Sequence, residues 1–237
     1  MTMQVLQNKL QISDARQELI DKGASFIDSP LSSAMRKLGL IRGVKMGDLV
    51  KSWDVLSTIN FLDSHVKKHE PILDIGCYAS EVIVALSKLN YSNLTGADLN
   101  TDLEQMPCQG IISYETTNFM HTPFADSSFK AITSISVIEH GFDGEALLKE
   151  MSRLLQSGGY FIASFDYWPE KVDTTGINIF DMTWTIFSKK EILEFINEAA
   201  RYDLFPLDTM IFEGKEKVIN CGGKQYTFAW LVLEKRA

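Results

Sequence analysis

Short apolar runs alternate with amphipathic helical segments from residue 71 onward, and this alternation constrains the fold most strongly. The run at residues 72–75, Ile-Leu-Asp-Ile, ends at Gly76. Residues 81–89 then place apolar side chains at helical spacing, and residues 93–99 give a second apolar run. Strands that alternate with helices predict βαβ units and a mostly parallel sheet covered on both faces. We therefore expect an α/β, Rossmann-like fold.

The predicted sheet has seven strands. They are residues 72–75, 93–99, 110–114, 130–137, 160–165, 207–212 and 226–234. The later helices are predicted at residues 145–155, stopped by Gly158 and Gly159, and at 188–202, which opens with a capping box. No long helix separates the last two strands, so we expect them to form an antiparallel C-terminal hairpin whose connection contains Gly222 and Gly223.

The first seventy residues predict helices only. Asp14 and Gln17 fit a capping box for a helix that ends at Gly23, and Ser29-Pro30 fits the start of another that ends at Gly39. A longer helix is predicted at 51–68. Its apolar face is Trp53, Leu56, Ile59, Leu62 and Val66. We expect an N-terminal helical extension at residues 1–48 and a Rossmann-like domain at residues 49–237.

Composition narrows the choice of partners. The net charge of −8 argues against a nucleic-acid partner, which would need a basic surface for the phosphates. The longest clean apolar run, residues 228–233, is far too short to cross a membrane. Three widely spaced cysteines and the lack of a secretion signal in the first residues predict a reducing, cytoplasmic compartment. We expect a small-molecule partner and no membrane partner, and we leave a homodimer open.

The strand ends predict where a ligand binds. In an open α/β sheet, ligands bind at the carboxyl ends of the strands. Gly76 follows the first predicted strand, and Asp98 stands 22 residues later, at the end of the second. An acid near this spacing can hold the ribose hydroxyls of an adenosine ligand. His140 and Asp166 follow two further strands and are the candidate general bases, in that order, with Glu139 third.

Several motifs, in order, resemble those of the class I S-adenosylmethionine-dependent methyltransferases of small-molecule type. Ile-Leu-Asp-Ile-Gly-Cys at residues 72–77 resembles their first motif, and Gly-Ala-Asp-Leu-Asn at 96–100 resembles their second. Residues 122–129 are similar to their LPF-containing segment. Residues 134–140 are similar to the strand with an SxxVLEH ending, and residues 147–159 to the LLKEIxRVLKPGG helix and turn.

The resemblance implies S-adenosyl-L-methionine as cofactor, bound at these strand ends. It assigns the glycine loop to the methionine part, the acid after the second strand to the ribose, and a residue beneath the sulfonium. The implied cofactor-binding residues are Asp74, Gly76, Cys77, Tyr78, Asp98, Leu99, Asn118, Phe119 and Ser136. Lys51 and Trp53 stand where members of the family often close the cofactor pocket.

Tyr78 is the main departure from the family pattern, because it replaces the second glycine of the loop. One alternative is therefore a catalytically degenerate methyltransferase fold that serves as a binding or scaffold protein. A nicotinamide-dependent oxidoreductase is less favoured, since G-x-G-x-x-G is absent: its positions read Gly76, Tyr78 and Glu81.

The segment at residues 166–187 suggests the acceptor. It interleaves aromatic residues with carboxylates on the ligand side of the sheet, which suits a small polar acceptor such as a sugar or polyol hydroxyl. A lid that packs on the core is an equal alternative for this segment. No motif requires a metal, and His65 and His69 are interpreted as part of an exposed helix face.

Overall fold

A mostly parallel sheet forms the centre of the computed structural model, which describes residues 2–28, 30–41, 43–141 and 143–236. The sheet order is β1-β11-β6-β5-β2-β3-β4, and β9 and β10 also pair with β11. The strands are β1 (Met3–Val5), β2 (Ile72–Ile75), β3 (Leu94–Asp98), β4 (Ile112–Thr116), β5 (Phe129–Ile135), β6 (Leu155–Tyr167), β7 (Asn178–Ile179), β8 (Met182–Thr183), β9 (Leu204–Pro206), β10 (Ile219–Cys221) and β11 (Lys224–Lys235).

Helices cover both faces of this sheet. They are α1 (Leu10–Asp21), α2 (Pro30–Lys37), α3 (Ser52–His65), α4 (Glu81–Lys88), α5 (Gly144–Leu154) and α6 (Lys189–Ala199), with short 3₁₀ turns at Leu49–Lys51, Thr101–Gln105 and Ala200–Tyr202. The apolar face predicted for the helix at 51–68 is buried or half-buried in α3 and just after it. Within the described ranges, no helix is both long and apolar enough to cross a membrane.

The five strands β6-β5-β2-β3-β4 run parallel, which confirms the predicted Rossmann-like α/β class. Strand β2 lies at their centre, and all four of its residues are buried. Asp74 on β2 pairs with Gly96 on β3 and with Thr133 on β5. This register brings the ends of β2, β3 and β5 to one edge, so the residues that follow these strands meet there.

The C-terminal strands are antiparallel, as predicted, but one of them lies elsewhere. Strand β9 at Leu204–Pro206 pairs with β11, and the prediction of a strand at 207–212 is wrong. Strand β1 occupies the neighbouring stretch of β11, and residues 207–212 instead contact β1, through a bridge between Met3 and Met210. The predicted glycine turn links β10 to β11, with positive φ at Gly222 and Gly223.

The N-terminal residues contain a strand that the sequence did not predict. Met3–Val5 pairs with β11 and completes one edge of the sheet. The predicted capping box at Asp14 is wrong, because α1 begins at Leu10 and places Asp14 inside the helix. Gly23 follows that helix with φ +69°, as expected for a helix end. Ser29 lies outside the described residues, and the domain boundary at residue 48 stays a prediction.

The glycine pair after α5 has a different role from the predicted one. Helix α5 already ends at Leu154, and Gly158 and Gly159 lie inside β6. The pairing of β5 with β6 shifts register between Phe129 and Ala131, opposite this pair. A Cβ on Gly159 would lie 3.0 Å from the carbonyl oxygen of Lys130, so a side chain would crowd the neighbouring strand.

Candidate active site

Two adjoining cavities open at the carboxyl ends of the parallel strands. Their volumes are about 640 Å³ and about 370 Å³. Five residues border both cavities: Gly76, Tyr78, Ser136, His140 and Phe180. The larger one extends toward α3 and β11, and the smaller one extends toward the end of β3. The site therefore has two compartments that meet above the ends of β2 and β5.

The smaller cavity collects most of the residues predicted for the nucleoside part of a cofactor. Asp98, Leu99 and Phe119 line it. One carboxylate oxygen of Asp98 accepts the Tyr78 N–H and the other accepts the Asn100 N–H, both at 2.8 Å. These bonds fix the carboxylate at the cavity wall, and the lone pairs they leave free can accept further hydrogen bonds.

The turn after β2 needs its first glycine. Gly76 has φ +67°, and a Cβ there would lie 2.4 Å from a methyl carbon of Val137. The backbone of the turn therefore lies directly against the segment after β5 and borders both cavities. Tyr78 does not close this turn. Its half-buried side chain packs on the hydrophobic core and lines both cavities.

Three other predicted cofactor residues do not line either cavity. Asp74 is buried and accepts a 2.6 Å hydrogen bond from the Thr133 hydroxyl; burial raises the pKa of Asp74 to about 7. Cys77 is fully buried, and burial raises the pKa of its thiol. Asn118 is exposed, and its amide oxygen accepts the Met120 N–H at 3.0 Å. Asp74 and Cys77 are buried in and just before the turn after β2, so they stabilise its shape. Asn118 instead stabilises the loop beside the smaller cavity.

The larger cavity has a charged group in one wall. Lys51 and Asp166 line it, and the Lys51 Nζ lies 3.8 Å from an oxygen of Asp166 and 3.8 Å from an oxygen of Asp54. The same ammonium lies 3.2 Å from the ring centre of Phe228. Asp54 is fully buried, and burial raises its pKa to about 6 against the opposing charge of Lys51. The sequence reasoning did not single out Asp54, because a lone acid beside Trp53 on a helix carries no signal.

His140 borders both compartments, and the buried carboxyl group of Glu139 precedes it in the chain. Burial lowers the pKa of His140 from its ordinary value and raises that of Glu139 to about 8, with the charge of Asp166 as a second cause for Glu139. The Ser136 hydroxyl donates to Glu139 at 2.5 Å, and Ser136 itself has φ +59°. At neutral pH this environment favours a neutral imidazole beside a protonated carboxyl group.

Buried polar atoms that lack a partner concentrate at this site. Among the described residues they belong to Lys51, Asp54, Asp74, Ser134, Glu139 and His140. All six residues lie at the carboxyl half of β2 or β5, just after β5, or at the start of α3. Buried polar groups are normally hydrogen-bonded. Of the six residues, Lys51 and His140 line a cavity, so these two could meet polar atoms of a ligand.

The predicted aromatic segment folds back over the site. Trp184 is buried and its indole N–H donates to Asp166 at 2.8 Å. Strands β7 and β8 form a small hairpin whose tip carries Phe180, and the Phe180 and His140 rings meet edge to face at 5.4 Å. Tyr226, which the sequence reasoning did not single out as a site residue, lines the larger cavity beside these groups. Part of the segment therefore packs on the core and part borders the ligand space.

The arrangement around Asp98 fits an adenosine-bearing cofactor. Across the described ranges, no three His, Cys, Asp or Glu side chains come together so that they could hold a metal ion. His65 is exposed and stacks on Phe61. The carboxylate of Asp98, at the wall of a cleft that begins at a glycine turn, is an acceptor suited to the hydroxyl groups of a ribose.

A parallel α/β sheet with this cleft defines the Rossmann-like class of nucleotide-binding domains. Residues 73–163 match the family described as "Methyltransferase domain". A methyltransferase named GfsG from Streptomyces halstedii is 27% identical over 96 residues, which are 37% of this chain and 34% of that protein. The chain thus spans about a third of the length of this relative.

Solved structures share the fold at low sequence identity. A 1,6-didemethyltoxoflavin-N1-methyltransferase from Burkholderia thailandensis, with bound S-adenosylhomocysteine, matches with TM-score 0.59, 16% identity, and coverage of 78% of this chain and 79% of that one. The [4+2]-cyclase SpnF matches with TM-score 0.62, 12% identity, and coverage of 100% and 99%. Residues 73–163 thus resemble a methyltransferase domain, and the fold is that of solved S-adenosylmethionine-dependent methyltransferases.

Proposed function

We propose that this chain transfers the methyl group of S-adenosylmethionine to a hydroxyl group of a small polar acceptor. The observation that carries the proposal is the meeting of two cavities at Gly76, Ser136 and His140. One compartment suits the nucleoside of the cofactor, and the other suits an acceptor. The cofactor supplies a methyl group already activated by a positively charged sulfur, so the protein mainly has to align the partners and exclude water.

The residues around the smaller cavity hold the cofactor in this proposal. Asp98 binds the ribose hydroxyls, and Leu99 and Phe119 cover the adenine. Gly76 brings the backbone against the methionine part, and Ser136 lies beneath the sulfur. Asp74 and Cys77 act through the shape of the turn that they support, and Asn118 acts through the loop that positions Phe119.

His140 is the proposed general base. Its Nδ1 has no hydrogen-bond partner, and burial keeps its pKa low, so the ring is neutral and able to accept the hydroxyl proton. Asp166 is the second candidate, but Lys51 and the Trp184 indole already engage its carboxylate. Glu139, with its pKa raised to about 8, holds a proton at neutral pH and is the weakest of the three.

Sugars and polyols are the proposed acceptor class. The larger cavity combines charged groups, Lys51 and Asp166, with the aromatic rings of Tyr226 and Phe228. A sugar ring presents hydroxyl groups at its edge and C–H groups on its face, so it complements both kinds of wall. The interleaved aromatic residues and carboxylates of residues 166–187 support the same class.

Calorimetric titration with S-adenosylmethionine and S-adenosylhomocysteine tests the cofactor part. We expect micromolar binding to the wild type, and a loss of at least tenfold in Asp98→Ala, because hydrogen bonds from ribose hydroxyls to a carboxylate are charge-assisted. Asp102→Ala is the matched control, since this exposed acid lies nearby but lines neither cavity. Absence of binding to both nucleotides by the wild type would overturn the proposal.

A second candidate is a methyltransferase fold that does not transfer methyl groups. Tyr78 in the glycine loop favours it, and the full-length fold match to a cyclase shows that such a fold can carry other chemistry. Cofactor binding without methylation of any sugar, polyol or phenol acceptor supports this second function. NAD binding in place of S-adenosylmethionine would instead favour the oxidoreductase alternative.

A further inference from the structure

We propose that the rings of Tyr78 and Phe180 form an aromatic wall that binds the positively charged sulfur of S-adenosylmethionine. The inference rests on the proposed function and assigns a role to the residue that departs most from the family pattern. Through this wall the site would distinguish the charged, methyl-bearing cofactor from its neutral product.

The position of the two rings is the first support. A methyl group that passes from a cofactor in one compartment to an acceptor in the other must cross the junction between them. Only five of the described lining residues border both cavities, and Tyr78 and Phe180 are the two with a phenyl-type ring. His140, the third ring at the junction, is held neutral and does not repel a cation.

Tyr78 is fixed before any ligand binds. Its backbone N–H donates to Asp98, and the preceding Gly76 N–H donates to the Ala97 carbonyl at 2.8 Å. Its ring packs partly on the core while still lining both cavities. A glycine at this position would leave that wall open, so the substitution adds a surface to the junction rather than only filling space.

Phe180 stands at a strained turn. Phe180 and Asp181 form the two-residue turn between β7 and β8, with φ +55° and +60°. A two-residue hairpin turn of this type requires positive φ at both positions, and large side chains rarely adopt it. The Phe180 side chain is 78% exposed, the highest value among the large exposed apolar side chains that the structure describes. An exposed ring in a strained turn beside two cavities is well placed to gain contact when a ligand binds.

Hydrogen bonds tie the base of this hairpin to the rest of the site. The Thr185 N–H donates to the Glu139 carbonyl at 2.9 Å, and the Thr174 hydroxyl donates to the Trp184 carbonyl at 2.6 Å. Buried Trp184 is tied in turn to Asp166. The tip carries Phe180 to the junction, and Ile179 and Met182 beside it each line one of the cavities.

The electrostatics of the junction are mixed, so the test must isolate the rings. Asp166 and ionised Asp54 attract a cation, Lys51 repels it, and Glu139 is largely protonated at pH 7. An aromatic face adds an attraction of its own for a nearby cation. Variants that change only the rings leave every charge of this group in place.

The test compares the affinities for S-adenosylmethionine and S-adenosylhomocysteine in wild type and ring variants, by calorimetry at pH 7. The measured quantity is the ratio of the two dissociation constants. We expect Phe180→Leu and Tyr78→Leu each to shift this ratio about three- to tenfold against S-adenosylmethionine. Tyr78→Phe keeps the ring and should keep the wild-type ratio. Leu10→Ala, an exposed apolar side chain on α1, is the control.

The outcomes separate this inference from the proposed function. If the wild type binds neither nucleotide, the proposed function fails. If both nucleotides bind but the two leucine variants weaken them equally, the rings only pack on the cofactor and the inference is overturned. Sinefungin, which carries an ammonium group near the position of the sulfur, provides an independent check and should follow S-adenosylmethionine. Thermal unfolding of each unliganded variant shows whether it is folded.

Discussion

At the scale of single residues, Gly76 shows how a turn and a site depend on one missing side chain. Its φ of +67° lies in the left-handed region, and the position of a Cβ would fall 2.4 Å from Val137. The positive φ costs a non-glycine residue about 1–2 kcal/mol, and the close approach to Val137 forces a backbone or side-chain shift. Either change would move the turn that borders both cavities.

We therefore expect Gly76→Ala to lower the free energy of unfolding by about 3 kcal/mol and to abolish cofactor binding. Gly110→Ala is the matched control, because Gly110 has φ +82° but no atom within 4 Å of its Cβ position. The control should lose only the free energy of unfolding that positive φ costs a non-glycine residue. The double variant Gly76→Ala/Val137→Ala removes the Val137 methyl groups that the new Cβ would meet. It should therefore recover the part of the lost free energy of unfolding that this contact causes. Urea unfolding measures all four proteins, and equal losses in Gly76→Ala and Gly110→Ala would contradict the steric argument.

The sequence pattern located residues near the carboxyl ends of the strands, although Asp98 is the last residue of β3, Asp166 lies inside β6 and His140 comes five residues after β5. Gly76, Asp98, His140 and Asp166 were located from strand ends alone, and the structure brings each to a cavity wall. Their roles there stay proposals. Asp54 could not be found in this way, because it reaches the site from α3 and its hydrogen-bond partner Ser164 lies 110 residues further along the chain.

At the scale of elements, an ion pair joins α1 to the start of α4. The Arg16 guanidinium binds the Glu81 carboxylate with two hydrogen bonds of 2.7 and 2.8 Å, and the Phe26 N–H donates to the same carboxylate. The Glu81 side chain is only 1% exposed. Glu81 follows the glycine loop and lines the larger cavity, so this pair connects the N-terminal helix to the candidate site.

Arg16→Met should lower the free energy of unfolding by about 3 kcal/mol, because it leaves a buried carboxylate without its cation. The double variant Arg16→Met/Glu81→Met removes that unpaired charge and should recover much of the loss. Arg201→Ala breaks an exposed pair with Glu198 and should leave the free energy of unfolding almost unchanged. Thermal and urea unfolding check these values. A double variant that is less stable than Arg16→Met would show that the pair itself is favourable.

Elements were predictable when they were long and periodic. The strands of the parallel core and the capping box at Ser188 follow from apolar runs and from local hydrogen-bonding chemistry. Strands β1 and β9 are each three residues long, which is too short for a periodic pattern. Their positions depend on which stretch of β11 remains unpaired, and β11 is far away in the sequence from β1. The strand predicted at 207–212 failed for the same reason.

At the scale of the whole molecule, the site concentrates buried carboxyl groups that burial keeps hard to ionise. Burial raises the pKa of Asp54 to about 6, of Asp74 to about 7 and of Glu139 to about 8. In the unfolded chain these groups ionise near pH 4. Between the two values the native state holds protons that the unfolded state has lost, so the free energy of unfolding falls as pH rises. Each group stops contributing to this fall once the pH exceeds its native pKa.

The order of these three native pKa values gives a prediction for the pH range 5 to 8. The free energy of unfolding of the wild type should fall across the range, and the fall between pH 7 and 8 should come mainly from Glu139, whose native pKa is the highest. In Glu139→Gln that last part should be nearly absent. The variant should lose roughly 3 to 4 kcal/mol less than the wild type between pH 5 and 8. Glutamine keeps a carbonyl oxygen that can accept the Ser136 hydroxyl, so the local packing is preserved.

Urea unfolding followed by tryptophan fluorescence at pH 5, 6, 7 and 8 measures these curves. Glu216→Gln, at an exposed position, is the control and should run parallel to the wild type. The same burial also explains the chemistry proposed for the site, since a carboxyl group that stays protonated near pH 7 leaves the proton-accepting role to the neutral ring of His140. Parallel curves for the wild type and Glu139→Gln between pH 7 and 8 would show that Glu139 is ionised in the native state. In that case the Glu139 carboxylate, and not His140, would be the better candidate for the general base.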